Sequence, residues 1–221
     1  MLLDLVDLLR CPNDHADAPL VCVARPARDR ELETATLGCP VCHAEFTVQD
    51  GVAWLGPPPD AAATHAMSSD HPATAADVVR LAAMLDLTTP GGTVALTGGW
   101  AALARALAEM TACAVVVLAN EARWIVPGHV SVLAGSRGIP LARASLRGIA
   151  LGTEPAATLD ARLGSAVAAL ALHGRLVAPR SCGPPGGCDE IARDDWWWVA
   201  ERRERPQAVS LRRAPRRTPS Q

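Results

Sequence analysis

The residues best suited to chemistry lie near the start of the chain. In "GCPVCHAEF", residues 38–46, two residues separate Cys39 from Cys42, and Pro40 presets the bend between them. One short turn of this kind presents two thiolates to a single ion. "RCPNDH" begins with the same Cys-Pro at Cys11, but it lacks the expected second cysteine. Asp14 stands at the C-x-x-C position, and His15 offers a C-x-x-x-H alternative. Neutral imidazole binds zinc better than a lone carboxylate among thiolates, so His15 is preferred to Asp14 as the fourth ligand. Cys11, His15, Cys39 and Cys42 would then hold one structural zinc, with no open position for a substrate. Cys22, in the strand-like "LVCVA", reads as packing, and His43 points away if both neighbouring cysteines bind. A decayed site folding without metal is the competing reading. Against it, so small a lobe has little core and needs a staple.

Other candidates carry less chemistry. "SCGPPGGC" sets Cys182 and Cys188 across a Pro-Gly loop at a spacing unlike a metal or redox motif, and reads as a loop. "WWW", read as part of a strand, puts Trp196 and Trp198 on one face and Trp197 on the other. His129 and His173 lie beside strand starts as lone histidines. The chain has no Tyr, and no His, Asp or Glu is paired convincingly as a general base. All 21 basic residues are Arg, seven of them from Arg202 onward, against 23 acidic residues. The net charge of −2 gives no global pull toward nucleic acid.

The elements that must position these residues differ between two parts of the chain. Residues 1–56 hold four of the seven cysteines among short apolar runs and polar turns. Residues 57–74 are rich in Pro, Ala, Ser and Asp and read as a linker. From residue 75 to 213 helical and strand-like segments alternate, and residues 214–221 form an Arg-rich tail. "AADVVRLAAMLDL", "WAALARALAEM" and "ATLDARLGSAVAALAL" have helical spacing. "GGTVALTGG", "ACAVVVLAN", "HVSVLAG", "LRGIALG" and "GRLVAP" read as strands, several of them buried on both faces. Such alternation predicts an α/β fold, a doubly wound and mostly parallel sheet. "DDWWWVAERR" and "QAVSLRR" are expected to form a terminal antiparallel pair. No apolar run is long enough for a membrane helix, and the acidic start does not read as a signal peptide. The expected location is therefore the cytoplasm, where cysteines serve as thiols or metal ligands.

Two resemblances follow from these motifs. "LLRCPNDH" with "GCPVCHAEFTVQDGVAWL" resembles the zinc ribbon of the small activator protein that partners methyltransferases, a ribbon also fused to bacterial methyltransferases. Phe46, Asp50, Gly51 and Val52 match its closing segment, and the missing partner of Cys11 departs from it. The second part resembles a class I S-adenosylmethionine-dependent methyltransferase in element order, in the glycine turn after the first strand, and in "HGRLVAP". That resemblance implies a cofactor site at Gly98, Gly99, Trp100, Asn120 and Glu121. It also exposes three departures: Leu96 where an acid is usual, Trp100 where a small residue is usual, and Asn120 where the ribose-binding acid belongs, with Glu121 one step later. Either Asn120 or Glu121 holds an adenosine on which Trp100 stacks, or Gly98 and Gly99 only turn the chain while Trp100 fills the pocket. We prefer the latter. The function implied is a non-catalytic scaffold or regulatory subunit with a protein partner, a methyltransferase or a component of translation. An active methyltransferase is the alternative. A nucleic-acid adaptor using Trp196–Trp198 and the Arg-rich end is the third reading.

Overall fold

The structure, a computed structural model, describes residues 1–24, 30–56, 74–119 and 130–203. Its centre is five parallel strands in the order β7-β6-β5-β8-β9. They are β5 (Thr93–Thr97), β6 (Ala114–Ala119), β7 (Val130–Ala134), β8 (Leu146–Ala150) and β9 (Leu170–Pro179). Runs such as Val115-Val116-Val117-Leu118 are buried on both faces, so they carry no polar alternation.

Helices cover the two faces. On one lie α1 (Ala75–Met84) and α2 (Ala104–Thr111), with Val78, Leu81 and Leu107 against Val94, Leu96, Val115, Val117 and Val132. A capping box starts α1: Thr74 accepts from the Asp77 N–H, and the Asp77 carboxylate accepts from the Thr74 N–H. On the other face lies α3 (Ala156–Ala169), whose Leu159, Leu163 and Ala166 join a cluster with Val116, Leu133, Ile149 and Leu176. The α/β, doubly wound, mostly parallel sheet expected from the sequence is present.

Its antiparallel pair also stands at the C-terminal end, with one strand from "DDWWWVAERR" as expected and other partners than "QAVSLRR". β11 (Trp197–Arg202) pairs with β9 and with β10 (Cys188–Arg193), while "QAVSLRR" lies outside the described residues. Trp198 is fully buried, and Trp197 packs on the opposite face, as alternation requires. Trp196 is not on the strand. It stands 73% exposed in the turn before it.

The N-terminal segment forms a meander: β1 (Val21–Ala24), β2 (Ala35–Gly38), β3 (Glu45–Gln49) and β4 (Val52–Trp54), each antiparallel to the next. β4 then pairs in parallel with β7, through Val52↔Val132, Ala53↔Leu133 and Trp54↔Ala134. The meander thereby extends the central sheet, giving eleven strands among the described residues. A 3-10 helix at Leu3–Leu8 buries Leu5 and Val6, and Arg10 N–H donates to the Pro140 carbonyl. Among the described residues no helix is long and apolar enough to cross a membrane.

Candidate functional site

Two hydrogen-bonded turns bring four ligands together. In the first, Cys11 N–H donates to the Ala18 carbonyl, and His15 N–H to that of Asn13. In the second, which follows β2, Cys39 N–H donates to Ala44 and His43 N–H to Cys39. The ligand atoms of Cys11, His15, Cys39 and Cys42 all lie within 4.8 Å of one another. Cys11 Sγ is 3.7 Å from Cys42 Sγ, and Cys39 Sγ is 3.4 Å from His15 Nε2. A tetrahedral zinc with bonds of about 2.3 Å to sulfur has S···S edges of about 3.8 Å, and S···N edges slightly shorter. The donor set and its spacing therefore fit zinc.

The surroundings support that geometry. His15 Nδ1 lies 2.6 Å from the Ala16 carbonyl, so Nδ1 carries the proton and Nε2 keeps its lone pair toward the thiols. The Asn13 amide donates to Cys42 Sγ at 3.4 Å. The N–H of Ala44 and this amide bring the Cys42 thiol down to about 6, whereas burial raises Cys11 to about 12. Burial acts upward on Cys39 too, but the N–H groups of Cys42 and Val41 outweigh it. Cys22 packs half-buried against the core, and neither it nor His43 belongs to the cluster. Asp14 is outside the cluster as well.

The carboxyl ends of β5 and β8 flank the point where strand order reverses, where a doubly wound sheet binds its ligand. Here the two following loops touch. Gly152 N–H donates to Thr97 Oγ1 at 3.0 Å. A Cβ on Gly152 would lie 2.6 Å from the Thr97 carbonyl oxygen and 2.9 Å from Gly98 Cα, so only glycine fits. Gly98 has φ +54°, which suits a residue without a side chain. Leu96 is fully buried in the core. Trp100 is 9% exposed, its ring 4.7 Å from that of Trp197 and tilted by 49°. The position of a Cβ on Gly99 has no other atom within 4 Å. Asn120 and Glu121 lie outside the described residues, as does His129.

Some residues at this end escaped the sequence reading. Arg162 is fully buried and donates to Glu154 Oε1 at 2.6 Å and to the Leu118 carbonyl at 3.2 Å. Burial pushes the Glu154 carboxyl up and the Arg162 guanidinium down, while their attraction opposes both shifts. Arg162 shares a helical stripe with Leu159, Leu163 and Ala166, and that spacing was its only sequence signal. Gly152 gave no signal beyond its place after a strand. His173 sits exposed on β9 with Nδ1 3.0 Å from Glu201. Cys182 and Cys188 are free and partly buried, and the Cys182 thiol donates to the Pro179 carbonyl.

No protein-family model matches the chain, and no curated protein does either. Solved structures that align with it include the antibiotic-resistance methyltransferase Kmr, at 12% identity over 57% of this chain and 93% of that one, with a TM-score of 0.41. Another is an S-adenosyl-L-methionine methyl transferase from Silicibacter pomeroyi, at 14% identity over 59% of this chain and 99% of that one, with a TM-score of 0.40. At that level neither likeness carries an argument about what this chain does.

Proposed function

We propose that the chain is a zinc-stapled, methyltransferase-like protein that acts as a non-catalytic scaffold or regulatory subunit. Cys11, His15, Cys39 and Cys42 would hold the zinc, which would cross-link two turns and supply no reactive position. The observation that carries the non-catalytic reading is the indole of Trp100, buried and packed on Trp197 in the turn that would receive a cofactor. The usual acidic position before that turn is core Leu96. Thiolate ligands to a structural zinc suit a reducing, cytoplasmic setting. The partner class is a protein, a methyltransferase or a component of translation, as the ribbon resemblance implies. A neutral residue at Asn120 in place of a ribose carboxylate removes charge-assisted hydrogen bonds of roughly 1.5–3 kcal/mol, about one to two decades of affinity. Calorimetry with S-adenosylmethionine is expected to show no binding at micromolar concentrations. Micromolar binding competed by S-adenosylhomocysteine would replace this reading with that of an active methyltransferase.

A further inference from the structure

We infer that Cys42 and Cys11 form a peroxide-sensitive site at which a disulfide replaces the zinc and the ribbon keeps its cross-link. This rests on reading the four-residue cluster as a zinc centre. Three observations carry it.

The first is graded access. Cys39 is 3% exposed and Cys11 partly buried, whereas Cys42 is exposed, so an oxidant from solvent meets Cys42 first. The second is proximity. Cys11 Sγ lies 3.7 Å from Cys42 Sγ, close enough that small side-chain rotations bring the sulfurs to bonding distance. Asn13, two residues after Cys11, donates to the Cys42 sulfur and keeps it facing that turn. The third is connectivity. Cys11 and Cys42 belong to different turns, 31 residues apart, so a bond between them ties the same two turns that the metal ties. A Cys39–Cys42 bond would close only one turn and leave the other unattached.

The chemistry balances with hydrogen peroxide as the oxidant. The Cys42 thiolate attacks one peroxide oxygen; an S–O bond forms, the O–O bond breaks, and the departing hydroxide takes a proton to become water. The Cys11 thiolate then attacks the Cys42 sulfur of the sulfenic acid. An S–S bond forms, the S–O bond breaks, and the second hydroxide takes a proton. Two thiolates, one peroxide and two protons thus give one disulfide and two waters. The sulfurs lose two electrons and peroxide gains them. The zinc ion, left with only Cys39 and His15, departs.

The test uses the full chain purified with its metal. Zinc is measured before and after stoichiometric hydrogen peroxide with a chromogenic indicator. Disulfides are then mapped by alkylation, digestion and mass spectrometry. The expected result is about one zinc per chain at the start, complete release on oxidation, a Cys11–Cys42 peptide pair, and Cys39 still open to alkylation. Dithiothreitol with added zinc should restore the starting state. Zinc retained at peroxide levels that oxidise other thiols overturns the inference, and so does a Cys39–Cys42 bond or a sulfinic acid at Cys42. A chain without zinc before oxidation instead overturns the zinc reading beneath it.

Discussion

Arg162 shows how one side chain can carry the electrostatics of a sheet end. Full burial of a guanidinium is tolerable because Glu154 faces it at 2.6 Å and the Leu118 carbonyl takes a further bond. Desolvation acts against both charges, so the pair stabilises little beyond its own burial cost. Breaking it is another matter. Glu154→Gln is expected to destabilise the chain by about 3–5 kcal/mol, because it leaves a buried cation without the carboxylate opposite it. Glu154→Leu with Arg162→Met should lose far less, and chemical denaturation of both variants would measure the difference. Equal losses would mean that the packing of these side chains matters more than their charge. The Cys/His cluster was legible in the sequence because Cys39 and Cys42 are near neighbours whose spacing is itself the signal. Glu154 and Arg162 meet only once a loop and a helix are folded together, so the sequence alone shows two ordinary charged residues.

The hairpin joining β10 to β11 depends on one carboxylate. Asp194 Oδ1 accepts from the N–H groups of Trp196 and Trp197, both at 2.8 Å, and Oδ2 pairs with Arg80 of α1 at 2.5 Å. The Trp196 N–H first, then that of Trp197 and the Arg80 charge, hold this carboxyl below its ordinary range against the effect of burial. A depressed folded value means that the folded chain binds this proton less tightly than the unfolded one. Its stabilisation is therefore complete above the ordinary aspartate value of about 3.9, and fades as pH falls through the lower folded value. Asp194→Asn should lower the melting temperature at neutral pH, and the gap from the parent chain should close as both are acidified below about pH 4. A gap that stays constant into acid would assign the effect to shape alone. The same hairpin shows where element reading stops. The continuous apolar runs of β6 and β7 announced strands, but Cys188–Arg193 carries Asp, Glu and Arg on an exposed edge and has no apolar alternation to read. Asp194 then opens the turn that leaves Trp196 outside β11, although three tryptophans in a row read as one strand.

On the scale of the whole molecule, the meander and the α/β part share a sheet and a core. One buried cluster runs from Leu5, Leu9, Leu37 and Cys39 through Leu133 and Ile149 to Leu176 and Trp198. The β4–β7 pairing joins the same two parts through backbone. A short apolar segment such as Val52–Trp54 does not declare its partner strand in sequence, so this junction was the least legible feature of the fold. Its consequence is thermodynamic. Whatever holds the two turns at Cys11 and Cys39 stabilises a core that continues to β11, and removing it should be felt there. Free zinc at about 100 times its dissociation constant contributes about 2.7 kcal/mol to a folded state that alone binds it. For a chain of this length that corresponds to roughly 5–11 °C in melting temperature. Chelation is therefore expected to lower the melting temperature by at least that much, in one transition, and to speed amide exchange in β9 and β11 as well as in β2 and β3. If β2 and β3 lose protection while β11 keeps it, the meander opens by itself and the shared core does not couple the two ends.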